Sequence, residues 1–166
     1  MRKTFHRRGV TFAFEPSEEN FKYLLKTAEL NGKIYPIKKG LSDKTTTQNL
    51  FTHKDGENIC TGNYTFMDRS SDQDFHADVS VETITLDDFV KERKLERVDF
   101  IKSDIEGFER NMLQGAQETL KNFAPKLALC TYHLPDDPEV MSDLIMKANP
   151  RYKIVQGKMK LYASVK

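Results

Sequence analysis

Three carboxylates fall close together in Asp104-Ile105-Glu106-Gly107-Phe108-Glu109, directly after the apolar run Val98 to Ser103. A carboxylate beside a reacting hydroxyl can take its proton, and Gly107 permits close backbone approach. Helix-start chemistry competes with that reading. Ser103 and Glu106 have capping-box spacing and acidic residues suit a first turn, which accounts for Glu109 but poorly for Asp104 and Glu106 crowding one rim. His133 follows a second apolar run and could act as a general base or bind a metal, its neutral form being available near neutrality. A lone histidine is more often structural. Glu15, after Val10 to Phe14, can accept two hydrogen bonds from a ribose diol, or it is a solvated carboxylate favoured by the next helix's dipole. Ser42 and Asp43 could meet an adenine edge, but both are ordinary turn formers. His6, His53 and His76 show no ligand spacing among themselves.

These residues need elements to place them. Val10-Thr11-Phe12-Ala13-Phe14 has the character of a buried parallel strand feeding a helix, whose apolar positions Phe21, Leu24, Leu25 and Ala28 recur at helical spacing until Asn31-Gly32 offers a left-handed stop. Ile34 to Ile37 reads as a second strand whose Pro36 suits an edge. Residues 44 to 78 are polar and form an excursion, read as a hairpin with strand signals at Leu50-Phe51 and Tyr64 to Phe66 around Thr61-Gly62-Asn63. Val79 to Ile84 resumes strand character, and Thr85 with Asp88 opens a short helix through Val90.

Val98 to Ser103 is the clearest strand. The helix after Gly107 carries Phe108, Met112, Leu113, Ala116 and Leu120 on one face. Leu127 to Thr131 is another strand, Pro138 starts a helix with Val140, Met141, Leu144, Ile145 and Ala148 on its buried side, and Tyr152 to Val155 with Leu161 to Val165 make a closing hairpin. Alternating units of this kind imply an α/β fold, a doubly wound, mostly parallel Rossmann-like sheet with a C-terminal antiparallel hairpin. Ligands bind outside the carboxyl ends of such strands, where Glu15, Ser42, Asp104 and His133 would share one rim.

Length and composition set the outer limits. A chain of 166 residues is expected to make one domain, residues 1–166, with 1–9 a tail. The 26 Lys and Arg against 25 Asp and Glu, net charge +1, give no field that calls for nucleic acid or an anionic membrane. The basic cluster Arg2, Lys3, Arg7 and Arg8 is local. Cys60 and Cys130 show no paired spacing for zinc or a disulfide framework. No apolar run approaches a membrane span or a signal peptide, so the reading is a soluble, cytoplasmic chain.

Phe14-Glu15-Pro16-Ser17-Glu18-Glu19-Asn20-Phe21, Gly40-Leu41-Ser42-Asp43-Lys44, Glu82 to Phe89 and Val98 to Gly107 together resemble the FkbM methyltransferases in order and spacing. The likeness runs on through Leu113-Gln114-Gly115-Ala116 and Pro125 to His133. It implies the class I methyltransferase sheet, S-adenosylmethionine as donor, and a hydroxyl on a sugar or other small molecule as acceptor. It also implies cofactor contacts at Glu15, Pro16, Ser42, Asp43 and Asp104, with Asp104, Glu106 and His133 as candidate bases that the sequence does not rank. No metal is expected. Members of the family begin with a strand ending in Asp-x-Gly-Ala-x-x-Gly, which nothing before Val10 matches. The expectation is that this first strand is missing and that Val10 to Phe14 pairs with Val98 to Lys102, or is completed by another copy or a partner chain. The alternative to an enzyme is an inactive remnant of the fold, or a fragment acting only with a partner. A phosphoacceptor role for Asp104 in a receiver-like module lacks the further acidic residues such a site needs.

Overall fold

The computed structural model describes residues 9–55, 58–68, 70–71 and 75–165; the basic cluster Arg2, Lys3, Arg7 and Arg8, His6, and the side chains of His53, Cys60 and His76 lie outside what is described. Strand β1 is Thr11–Phe14, and Ser17 caps helix α1, Glu18–Leu30, by accepting a hydrogen bond from the Asn20 N–H at 3.4 Å. No residue of α1 is buried: Phe21, Leu24 and Ala28 are half covered and Leu25 is exposed. The expected left-handed stop is not used. Asn31 has φ −136°, and its N–H bonds back to the Thr27 and Ala28 carbonyls, which satisfies the helix end in extended geometry. Strand β2, Ile34–Ile37, runs parallel to β1, and Pro36 sits on this edge strand.

The polar excursion folds as a sheet of its own. Strands β3 (Gly40–Leu41), β4 (Thr46–Asp55), β5 (Asn58–Thr65) and β6 (Phe75–Ile84) take the order β3-β6-β4-β5. β4 and β5 are the expected hairpin. Thr61-Gly62-Asn63 lies inside β5, where the register slips between the Thr52–Tyr64 and Lys54–Ile59 pairs, so its turn-forming residues serve an irregularity in the strand. Thr85 then accepts from the Asp88 N–H at 2.9 Å and opens helix α2, Leu86–Glu92.

Strand β7 (Phe100–Ser103), helices α3 (Glu109–Gln114) and α4 (Gln117–Phe123), strand β8 (Lys126–Cys130), helix α5 (Asp137–Ala148) and the hairpin β9 (Lys153–Gln156) and β10 (Lys160–Ser164) complete the chain. Their sheet has the order β7-β8-β10-β9, with β7 parallel to β8 and β10 antiparallel to both its neighbours. Phe108, Met112, Leu113, Ala116 and Leu120 are all buried, as expected, but on two helices instead of one. A methyl at Gly115 would lie 2.1 Å from the Ser42 carbonyl oxygen. At this break the Asp87 carboxylate accepts from the N–H groups of Glu118 (3.0 Å) and Thr119 (2.8 Å) and from the Thr119 hydroxyl (2.6 Å), so α4 takes its N-terminal partners from α2. Leu113, Leu120, Leu129, Met141, Ile145 and Leu161 make the centre of the core, each worth about 1.5–3 kcal/mol of burial.

The α/β class stands, but among the described residues the strands do not join into the expected single, mostly parallel Rossmann-like sheet. Among the described residues the strands fall into three sheets, parallel only at β1–β2, β3–β6 and β7–β8. Among the described residues β1 pairs only with β2 and β7 only with β8, so Val10 to Phe14 does not pair with Val98 to Lys102. Side chains hold β1 in place of a second ladder: the rings of Phe12 and Phe14 pack edge-on against Phe89 at 5.1 and 4.8 Å. No described helix is long and apolar enough to cross a membrane.

Candidate active site

The carboxyl ends of β1 and β7 open onto one cleft of about 210 Å³. Phe14, Glu15, Pro16 and Asn20 line one side, Asp104, Ile105 and Glu106 another, and Gly40, Leu41, Leu50, Tyr64 and Phe66 complete it. Glu15 and the Asp104–Glu106 pair, far apart in sequence, therefore share one space. Glu15 is half buried; one carboxylate oxygen accepts from the Ser17 N–H at 2.8 Å. Burial pushes its pKa above 4.5, against the bonds from Ser17 and Asn20. An acid raised on folding stabilises the fold fully below its unfolded pKa of 4.5, and that contribution is lost as pH rises through the folded value. The stability of the chain relative to Glu15→Gln, measured by urea unfolding from just below 4.5 to neutrality, is therefore expected to fall as pH rises. A difference that stays flat would mean that Glu15 ionises as it does in water.

The second wall is a strained loop. Glu106 has φ +54° and Gly107 φ +91°, conformations that a non-glycine residue seldom holds, and the Thr65 hydroxyl donates to the Glu106 carbonyl at 2.9 Å. The capping-box role of Ser103 and Glu106 is not realised, because α3 starts only at Glu109. Glu109 curls back under the loop, fully buried, and accepts from the Ile105 N–H at 2.7 Å and the Gly107 N–H at 3.2 Å. Burial pushes its pKa up, against the bond from the Ile105 N–H. This is the helix-start role expected of Glu109, carried out in the interior.

His133 lies behind the loop. Its Nε2 is 3.4 Å from Glu106 Oε2 and its Nδ1 3.7 Å from Glu109 Oε2, while its ring packs at a 36° tilt against that of Tyr132, centroids 4.1 Å apart. The Tyr132 hydroxyl donates to Asp104 at 2.9 Å, which holds the tyrosine's own pKa above its usual range, and Lys102 stands 3.9 Å from the other Asp104 oxygen. Burial pushes the neighbouring Cys130 thiol up to about 11, keeping it protonated.

Asp104, Glu106 and His133 are thus brought together, and Glu15 and Pro16 share the cleft with Asp104 and Glu106, while His133 is not among its lining residues. Ser42 and Asp43 are not among the cleft-lining residues. Ser42 is fully buried; its hydroxyl donates to Asp43 at 2.9 Å and accepts from Gln48 at 2.8 Å, and Asn111 reaches Asp43 at 3.2 Å. Sequence reasoning missed the hairpin's part in the cleft. Tyr64 and Phe66 come from its end, and the alternation in Tyr64-Thr65-Phe66 was the available signal; it indicated a strand but not the surface that strand would cover.

The model of the methyltransferase FkbM domain matches residues 3–150. The chain belongs to the FkbM methyltransferase family. Among solved structures, this FkbM chain is similar to methyltransferase FkbM from Methylobacillus flagellatus KT, with a TM-score of 0.63 and 20% identity over 93% of the present chain. That likeness carries the fold. The alignment takes in 36% of the Methylobacillus chain, so the present FkbM chain spans about a third of that protein's length. No curated protein is significantly similar to it.

Proposed function

We propose that the cleft binds S-adenosylmethionine and that the chain transfers its methyl group to a hydroxyl of a sugar or other small molecule. The observation that carries this reading is the convergence of Glu15 with Asp104 and Glu106 on one cleft in a methyltransferase family member. The space suits only part of the cofactor, since whole drug-sized ligands occupy about 300–1,000 Å³. Glu15 fits the ribose end: one of its oxygens is held by the Ser17 N–H, which orients the carboxylate toward the diol. Phe14 and Leu41 supply apolar walls, with Tyr64 and Phe66 shielding the opposite side from water. The bound cofactor supplies an activated methyl on a sulfonium, and the protein's part is alignment plus removal of one proton.

Glu106 is assigned as the base. It lines the cleft, its backbone is held by Thr65, and His133 stands 3.4 Å from one carboxylate oxygen, leaving the other to the acceptor hydroxyl. Asp104 is less available because Tyr132 and Lys102 already engage its oxygens. His133 stands behind Glu106 as a positioning residue. The test is calorimetric titration with S-adenosylmethionine. Glu15→Gln is expected to weaken binding by about tenfold, the loss of roughly 1.5 kcal/mol from a charge-assisted hydrogen bond. Equal affinities would remove the ribose role and with it the placement of the cofactor.

A further inference from the structure

We propose that Asp104, Glu109 and His133 form a site for one first-row divalent metal ion, of the series from Mn²⁺ to Zn²⁺. One ligand atom from each residue lies within 4.8 Å of the others. A cation about 2.0–2.2 Å from each donor draws such atoms to roughly 3–3.5 Å apart, so closure needs side-chain movements of about 1 Å. The three donors come from the end of β7, the start of α3 and the segment after β8, all seated on one core.

The histidine is the independent observation. Its side chain is 10% exposed, and both ring nitrogens are buried without a hydrogen-bond partner in the protein. A buried polar group in that condition is costly, and each nitrogen faces a carboxylate at a distance too long for a hydrogen bond. An ion on Nδ1, beside Glu109 Oε2, supplies one missing partner. It also fixes the tautomer, placing the remaining proton on Nε2 toward Glu106; a carboxylate that orients a metal-bound imidazole is the usual outer partner of such a ligand. Glu109 retains acceptor capacity while taking the Ile105 and Gly107 N–H groups. Two carboxylates neutralise a dication, and Asp104 keeps acceptor capacity for it, since Tyr132 donates to one oxygen only and Lys102 stands 3.9 Å from the other. Asp104 reaches the cleft, so the ion's open positions would face the acceptor. One imidazole with two carboxylates suits first-row transition ions better than Mg²⁺ or Ca²⁺, which favour all-oxygen shells.

The inference stands apart from the methyl-transfer reading, because its test needs neither cofactor nor acceptor. The full chain is titrated with Co²⁺ and followed by visible absorption and calorimetry. One equivalent is expected to bind, and Asp104→Asn and His133→Phe are each expected to weaken it at least tenfold. Equal binding by the wild type and both variants, or none by the wild type, would overturn the site. Should either variant fail to fold, the wild type decides by ¹⁵N imidazole spectra with Zn²⁺. A shift of His133 Nδ1, with His6, His53 and His76 unmoved, is the expected result. A His133 ring unchanged, or doubly protonated at saturating Zn²⁺, would sink the proposal.

Discussion

Glu106→Gln is expected to lower the rate of methyl transfer by about 10²- to 10⁴-fold, the usual contribution of a positioned general base, while the affinity for S-adenosylmethionine stays within about twofold. Glutamine keeps the side chain's shape and its approach to His133 but cannot accept the acceptor's proton. The positive φ of Glu106 is a backbone property that the replacement retains, so the loop should persist. Transfer of labelled methyl from S-adenosylmethionine to a panel of monosaccharides and nucleotide sugars gives the rate, and calorimetry gives the affinity. A variant that keeps its rate would remove Glu106 from the chemistry. Asp104→Asn would then be the next replacement, since the amide oxygen can still accept from the Tyr132 hydroxyl. A fall in rate together with a fall in affinity would instead point to a distorted cleft, and Thr65, which holds the Glu106 carbonyl, would be the place to look.

The local code of the chain was readable where one residue's neighbours decide its role. Thr85 caps its helix as its spacing indicates, Pro36 sits on an edge strand, and the carboxylates after β1 and β7 reach the same cleft. What could not be read depends on partners distant in sequence. Nothing near Gly115 announces that the Ser42 carbonyl crowds it, nor that Asp87 will supply the next helix with its N-terminal acceptor. Glu109 reads as a first-turn carboxylate, and nothing beside it in sequence tells that the packing of α3 beneath the loop buries it. The order of strands was lost for the same reason. Apolar runs identify strands, but β1 is anchored by aromatic contacts to Phe89, which the runs themselves do not encode.

Asp137→Ala is expected to destabilise the fold by about 3–5 kcal/mol, whereas Asp136→Ala beside it should cost no more than about 1 kcal/mol. Both residues meet Arg110, whose Nε donates to Asp137 at 2.6 Å and whose Nη2 donates to Asp136 at 2.5 Å. They differ in burial. The Asp137 side chain is 1% exposed and also accepts the Leu134 N–H at 2.8 Å, while that of Asp136 is 60% exposed. Removing Asp137 strands the Leu134 N–H and leaves the largely covered guanidinium only its exposed partner Asp136; removing Asp136 leaves Arg110 its buried partner. The Arg110 pair ties α3 to α5 directly behind Glu109, so the loss should loosen the wall that carries Glu106. Urea unfolding of the single variants, with Arg110→Met and the Arg110→Met/Asp137→Ala double variant, separates the pair's own coupling from the cost of a stranded charge. The double variant is expected to be less damaged than the sum of its parts. If Asp136→Ala and Asp137→Ala prove equally mild, burial is not what sets the strength of this pair, and the support assigned to α3 must come from the apolar contacts of Met112 and Leu113 alone.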